Sequence, residues 1–233
     1  MKSLCLVVAL LLGAAPALSH ELWIERTPQG CELRYGHGRS GHEGAALIAY
    51  EPAMIRRVDC FDADGGRRDP GWSGETPLRI PGECAAAFVL ASTGFWSRTT
   101  EGTRNVSKKE APNAFKSWQS FESVKRIDRW GEALSRPLTR DLEITPLEDP
   151  LALATGDKIR LLVTLGGEPV EGATVAYDGE PRGIAGKDGR VNLKIRHGGF
   201  QAIQAALAVP LGSEDADDIV HTTNFNFEIG GSK

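Results

Sequence analysis

The 233-residue chain carries 27 Lys and Arg against 31 Asp and Glu, a net charge of −4 with no basic stripe, and this balance argues against a nucleic-acid partner. Its one long apolar run, Leu4 to Leu12, falls short of the roughly 18 residues that a transmembrane helix needs, so no membrane insertion of the mature chain is expected.

Residues 1–19 read as a signal peptide. Lys2 precedes the apolar run, the small residues Gly13 to Ser19 follow it, and Ala17 stands three positions before a cleavage point after Ser19. Export to the periplasm would then leave His20 as the mature N-terminus. Cys5 lies too early, without small residues before it, for a lipoprotein signal.

Residues 20–100 are expected to form a β domain carrying a histidine cluster. Short β-type runs bounded by Gly, Pro and Asp fill it: Leu22 to Arg26, Cys31 to His37, Ala45 to Tyr50, Ile55 to Asp62, Leu78 to Ile80 and Ala86 to Ser92. Cys60 and Cys84 flank a Gly/Pro-rich segment and make the better candidate for a disulfide. That leaves Cys31 as a buried apolar filler.

Residues 101–140 read as a linker. Thr99 to Pro112 is a polar loop. From Asn113 to Leu134 the apolar residues Phe115, Trp118, Phe121, Val124, Ile127, Trp130 and Leu134 recur every three or four positions, which predicts an amphipathic helix or two.

Residues 141–233 return to strand patterns: Lys158 to Leu165, a Gly166–Glu168 turn, a strand through Val175, Val191 to Ile195 and Gln201 to Val209. The stretch PVEGATVAYDGE…GIAGKDGRVNLKI resembles transthyretin-like and collagen-adhesin B-type domains of secreted proteins, a likeness that speaks to fold rather than function. The expected class is mainly β: two sandwiches of immunoglobulin or transthyretin-like type with a partly helical connecting segment.

The chemistry concentrates in the five histidines, His20, His37, His42, His197 and His221. An N-terminal His20 offers an α-amine and an imidazole to one metal ion. Imidazole suits nickel, copper, zinc and iron alike, so ligand type alone does not select the ion. Thr27-Pro28-Gln29-Gly30 carries Pro and Gly where a type I turn prefers them. A hairpin closed there sets Arg26 opposite Cys31, Ile24 opposite Leu33, Leu22 opposite Tyr35 and His20 opposite His37. Opposed Cβ atoms sit roughly 4.5 to 5.5 Å apart, close enough for two imidazoles to share one ion. The Gly-rich loop Gly36 to Gly44 can return His42 to the same point. His221, before a final strand, is a candidate fourth ligand. His197, in Arg196-His197-Gly198-Gly199, reads as a turn residue.

His20-Glu21 and His42-Glu43 do not open an H-E-x-x-H motif, because Ile24 and Ala46 stand where the second His belongs. With no organised nucleophile and base, no enzymatic activity is expected. Two alternatives stay open: a copper enzyme of the histidine-brace type, and a metal-free adhesion or carbohydrate-binding module.

The segments HELWIE, LRYGH, SWQSFESVKRIDRWGEALSRPLTRDLEITPLEDPLAL, GDKIRLLV, YDGEPRG and GGFQAIQAAL together resemble the secreted NikK-type accessory components of bacterial nickel and cobalt uptake systems, a domain-of-unknown-function family. The resemblance covers nearly the whole mature chain. It implies a periplasmic accessory that binds Ni²⁺ or Co²⁺ and delivers it to an energy-coupling-factor type transporter in the inner membrane; the imidazole ligands leave Cu²⁺ or Zn²⁺ as further candidates. The family's histidine pattern carries over to His20, His37 and His42.

Overall fold

The computed structural model describes residues 21–37 and 47–230. Among these, the chain is mainly β and contains no α-helix; three short 3₁₀ turns are its only helical elements. Its strands are β1 (Glu21–Thr27), β2 (Gly30–Gly36), β3 (Ile55–Phe61), β4 (Arg67–Arg68), β5 (Arg79–Pro81), β6 (Ala86–Thr99), β7 (Gly102–Arg104) and β8 (Lys116–Ile127). They continue with β9 (Glu143–Pro146), β10 (Lys158–Leu165), β11 (Glu168–Pro169), β12 (Thr174–Tyr177), β13 (Glu180–Ile184), β14 (Arg190–Lys194), β15 (Gly199–Pro210) and β16 (Asp218–Ile229).

These strands make three sheets. The largest has nine strands in the order β13-β12-β15-β16-β8-β6-β3-β4, with β7 paired to β6. Strands from both expected β regions therefore enter one sheet. They meet where β16 runs parallel to β8, from Asp218 opposite Trp118 to Asn226 opposite Arg126. A second sheet joins β9, β10, β11 and β14, and a third joins β1, β2 and β5.

Alternation along the strands shows where the small sheets sit, because successive side chains point to opposite faces. On β6, Ala86 and Phe88 pack into a core shared with Ile144, Ile159, Leu161 and Phe225, whereas Ala87, Val89 and Ala91 pack into another shared with Leu22, Ile24, Leu33 and Ile80. The four-stranded and three-stranded sheets thus cover opposite faces of the nine-stranded one. Each fully buried Leu, Ile or Phe in these cores contributes about 1.5–3 kcal/mol of transfer free energy.

The structure corrects the helix expected at 113–134. Lys116–Ile127 is a twelve-residue strand in the middle of the large sheet, and Trp130 and Leu134 lie in a loop and in the 3₁₀ turn Glu132–Ser135. The cause is burial on both faces, which erases the in-out alternation by which a strand is recognised. Val124 enters one core and Ile127 the other, and the resulting three-residue spacing imitates a helix.

Two smaller corrections concern loops. Residues 47–50 of the expected strand Ala45 to Tyr50 form no strand, although Ile48 N–H donates to the Tyr35 carbonyl at 2.8 Å; the rest of that run lies outside the described residues. Thr99 to Pro112, expected as a loop, contains β7, which continues the sheet beyond Thr99.

Cys60 and Cys84 form a disulfide with a Cα–Cα distance of 5.3 Å, within bridging range, and Cys31 is free and buried.

Candidate metal centre

The β1–β2 hairpin has the register that its turn predicts. Arg26 opposes Cys31, Ile24 opposes Leu33, Leu22 opposes Tyr35, and Glu25 opposes Glu32, with Thr27 and Gly30 closing the turn. The like-charged Glu25–Glu32 pair is tolerated because Arg34 bridges it, its Nε 3.2 Å from Glu25 and its Nη1 2.8 Å from Glu32. Apolar side chains at 22, 24, 31, 33 and 35 fix the register, since a one-residue slip would turn every one of them out of the core.

His37 directly follows β2. It is half-buried, and its Nδ1 is shielded from solvent. His20 and His42, expected beside it, lie outside the described residues. Among the described residues, no group of three or more His, Cys, Asp and Glu side chains is arranged to hold a metal ion.

His221 belongs to a different place. It pairs with Phe121 on β8 and stacks on that ring, with centroids 5.8 Å apart. Phe121 and Glu122 are neighbours on one strand and point to opposite faces, and it is Glu122 that shares the face of Val124 and of its partner Ala91 under the three-stranded sheet. His221 is therefore on the face covered by the four-stranded sheet, away from the end of β2. Burial holds its imidazole below the usual range, partly offset by the Asp141 carboxylate.

His197 stacks on Tyr177, with centroids 5.8 Å apart, and sits 2.9 Å from both the Gly198 carbonyl and Asp178 Oδ2. The Gly198 carbonyl and Asp178 raise its pKa. Cys31 is not a ready thiolate ligand: burial and the neighbouring Asp128, which accepts from its Sγ at 3.6 Å, push the thiol up to about 11.

One residue near the hairpin end was missed by the sequence reading. Glu122 on β8 helps to raise the pKa of the Tyr35 hydroxyl, and burial raises its own carboxyl to about 7 despite a hydrogen bond from the Ser120 hydroxyl. A helical reading of its segment hid it. Read with a period of two, Trp118, Ser120, Glu122, Val124 and Arg126 share one strand face, and a carboxylate in that row stands out.

A family model covers residues 17–208, and its description is a domain of unknown function, DUF4198. The chain belongs to this family. No curated protein and no solved structure matches the chain significantly. The match covers the hairpin, His37 and the whole of β6 and β8, so the candidate centre lies within the family's domain.

Proposed function

We propose that the protein is an exported, periplasmic binding protein for Ni²⁺ or Co²⁺ that serves as an accessory to an inner-membrane uptake transporter and holds the ion through His20, His37 and His42. The observation that carries this reading is the hairpin register. From Glu21–Gly36 to Thr27–Gly30 the pairs are those that, continued by one step, set His20 opposite His37. The donor set fits such an ion, because neutral imidazole nitrogens and an α-amine suit late first-row divalent metals. His221, across the large sheet, is left out of the ligand set.

Calorimetric titration of protein processed to begin at His20 tests this. One equivalent of Ni²⁺ or Co²⁺ is expected to bind at pH 7.5 and much less at pH 5, because nitrogen ligands must be deprotonated and imidazole titrates near about 6.5. A variant with one residue added before His20 should stay folded and lose much of its affinity. Unchanged binding by that variant, or by the His37→Ala/His42→Ala double variant, would put the site elsewhere.

A further inference from the structure

A row of side chains on β8 lies beneath the hairpin. At one end of the row, Arg126 Nη1 donates to the Ile24 carbonyl at 3.2 Å, and Ile24 N–H donates to Asn226 Oδ1 at 3.1 Å, which pins β1 to the sheet. Two positions back, Val124 packs in the same core as Leu22 and Tyr35. Two more back, on the same face, comes Glu122, whose charge helps to raise the pKa of the Tyr35 hydroxyl. The hairpin thus runs along β8 towards Glu122, with its open end on the Glu122 side. His37 lies two residues beyond Tyr35, so their Cα atoms are at most about 7 Å apart.

The sheet is irregular in this row. The β6–β8 register shifts between Ala91 and Gly94, and Ala91 is the partner of Glu122. The β3–β6 register shifts between Ile55 and Arg57, again beside Ala91. Such bulges bend a strand and re-aim side chains, and they gather beside functional sites. The Ser92 hydroxyl, inside the first bulge, donates to the Ser120 carbonyl at 2.7 Å and fixes the distorted backbone.

Charge matching singles out the same residue. Glu143 is buried against Lys125, and Glu32 against Arg34 and Arg79. Among the described residues, no Lys, Arg or His forms an ion pair with Glu122, which is partly buried on its strand. A carboxylate partly withdrawn from water without a cation carries part of its desolvation cost uncompensated, and a divalent ion would supply the missing charge.

We infer that Glu122 is a ligand to the ion held at the hairpin end, giving the site a carboxylate oxygen beside its nitrogens. This rests on the metal-binding reading above. The test is titration of the His20-initiated protein with Ni²⁺ and Co²⁺, together with the visible d–d spectrum of the Co²⁺ complex. Glu122→Gln should bind at least about tenfold more weakly, since even outer-shell partners of metal ligands are worth 10–100-fold. Its Co²⁺ bands should shift, and Glu122→Asp should fall between it and the parent. Without metal, the amide removes a partly buried, unpaired charge, so Glu122→Gln should melt no lower than the parent. If it fails to fold, Glu122→Asp decides alone, with weakened binding expected and parental binding overturning the inference. Parental affinity and spectrum in Glu122→Gln, alongside lost binding in His37→Ala, would remove Glu122 from the site and leave the metal-binding reading intact. No binding by the parent protein would overturn both.

Discussion

Lys125 and Arg126 are adjacent on β8 and almost fully buried, at 1% and 2% exposure, because neighbouring strand residues face opposite cores. Lys125 Nζ donates to Glu143 at 2.6 Å and lies 5.6 Å from the Phe225 ring centroid. Glu143 also accepts from the Leu138 and Thr139 amides and the Thr139 hydroxyl, tying the preceding loop to β9. Burial pulls the Lys125 pKa down, and the Glu143 carboxylate offsets part of that. Lys125→Met should therefore cost about 3–5 kcal/mol in urea unfolding, because it strands a buried carboxylate. Adding Glu143→Leu should recover part of the loss, and a double variant less stable than Lys125→Met would contradict this account. Just before β15, His197 gives a pH signature. Its pKa is raised by the Gly198 carbonyl and by Asp178, so its contribution to stability is complete below the unfolded imidazole value and disappears as pH rises through the higher folded value. Asp178→Asn should move the His197 NMR titration midpoint downward; an unmoved midpoint would show that Asp178 does not hold the charge.

At the scale of elements, the first hairpin was legible in the sequence because its determinants are local: a Pro-Gln turn followed by Gly30, and alternating apolar residues on both arms. The Gly at that turn has a further role. Its φ is +142°, and a Cβ there would come within 2.2 Å of the Ile80 carbonyl oxygen on β5. Gly30→Ala should therefore cost about 2–4 kcal/mol, combining backbone strain with separation of β2 from β5. Gly71→Ala is the control, since Gly71 also has positive φ but open space where a Cβ would stand. Comparable melting losses in the two variants would mean that strain alone acts at Gly30. In contrast, β8 could not be read from its own residues. Its apolar spacing results from two cores drawing on one strand, and that is a property of its neighbours.

For the molecule as a whole, the sequence by itself determined the β class, most of the short strands, the Cys60–Cys84 bridge, the burial of Cys31 and the hairpin register from residue 21 to 27. These follow from turn chemistry, cysteine spacing and period-two patterning, all carried by residues close together in the chain. Tertiary structure alone decided that β8 is a central strand, that β16 runs parallel to it, and that one nine-stranded sheet is covered on opposite faces by two smaller ones. It also decided which side chains come near the hairpin. His37 and His221 are chemically alike in the sequence but lie on opposite sides of the large sheet, whereas Glu122, 87 residues along the chain from Tyr35, comes to the face that the hairpin covers. Which face a residue occupies in a doubly covered strand depends on register with partners far away in sequence, and no local pattern encodes that.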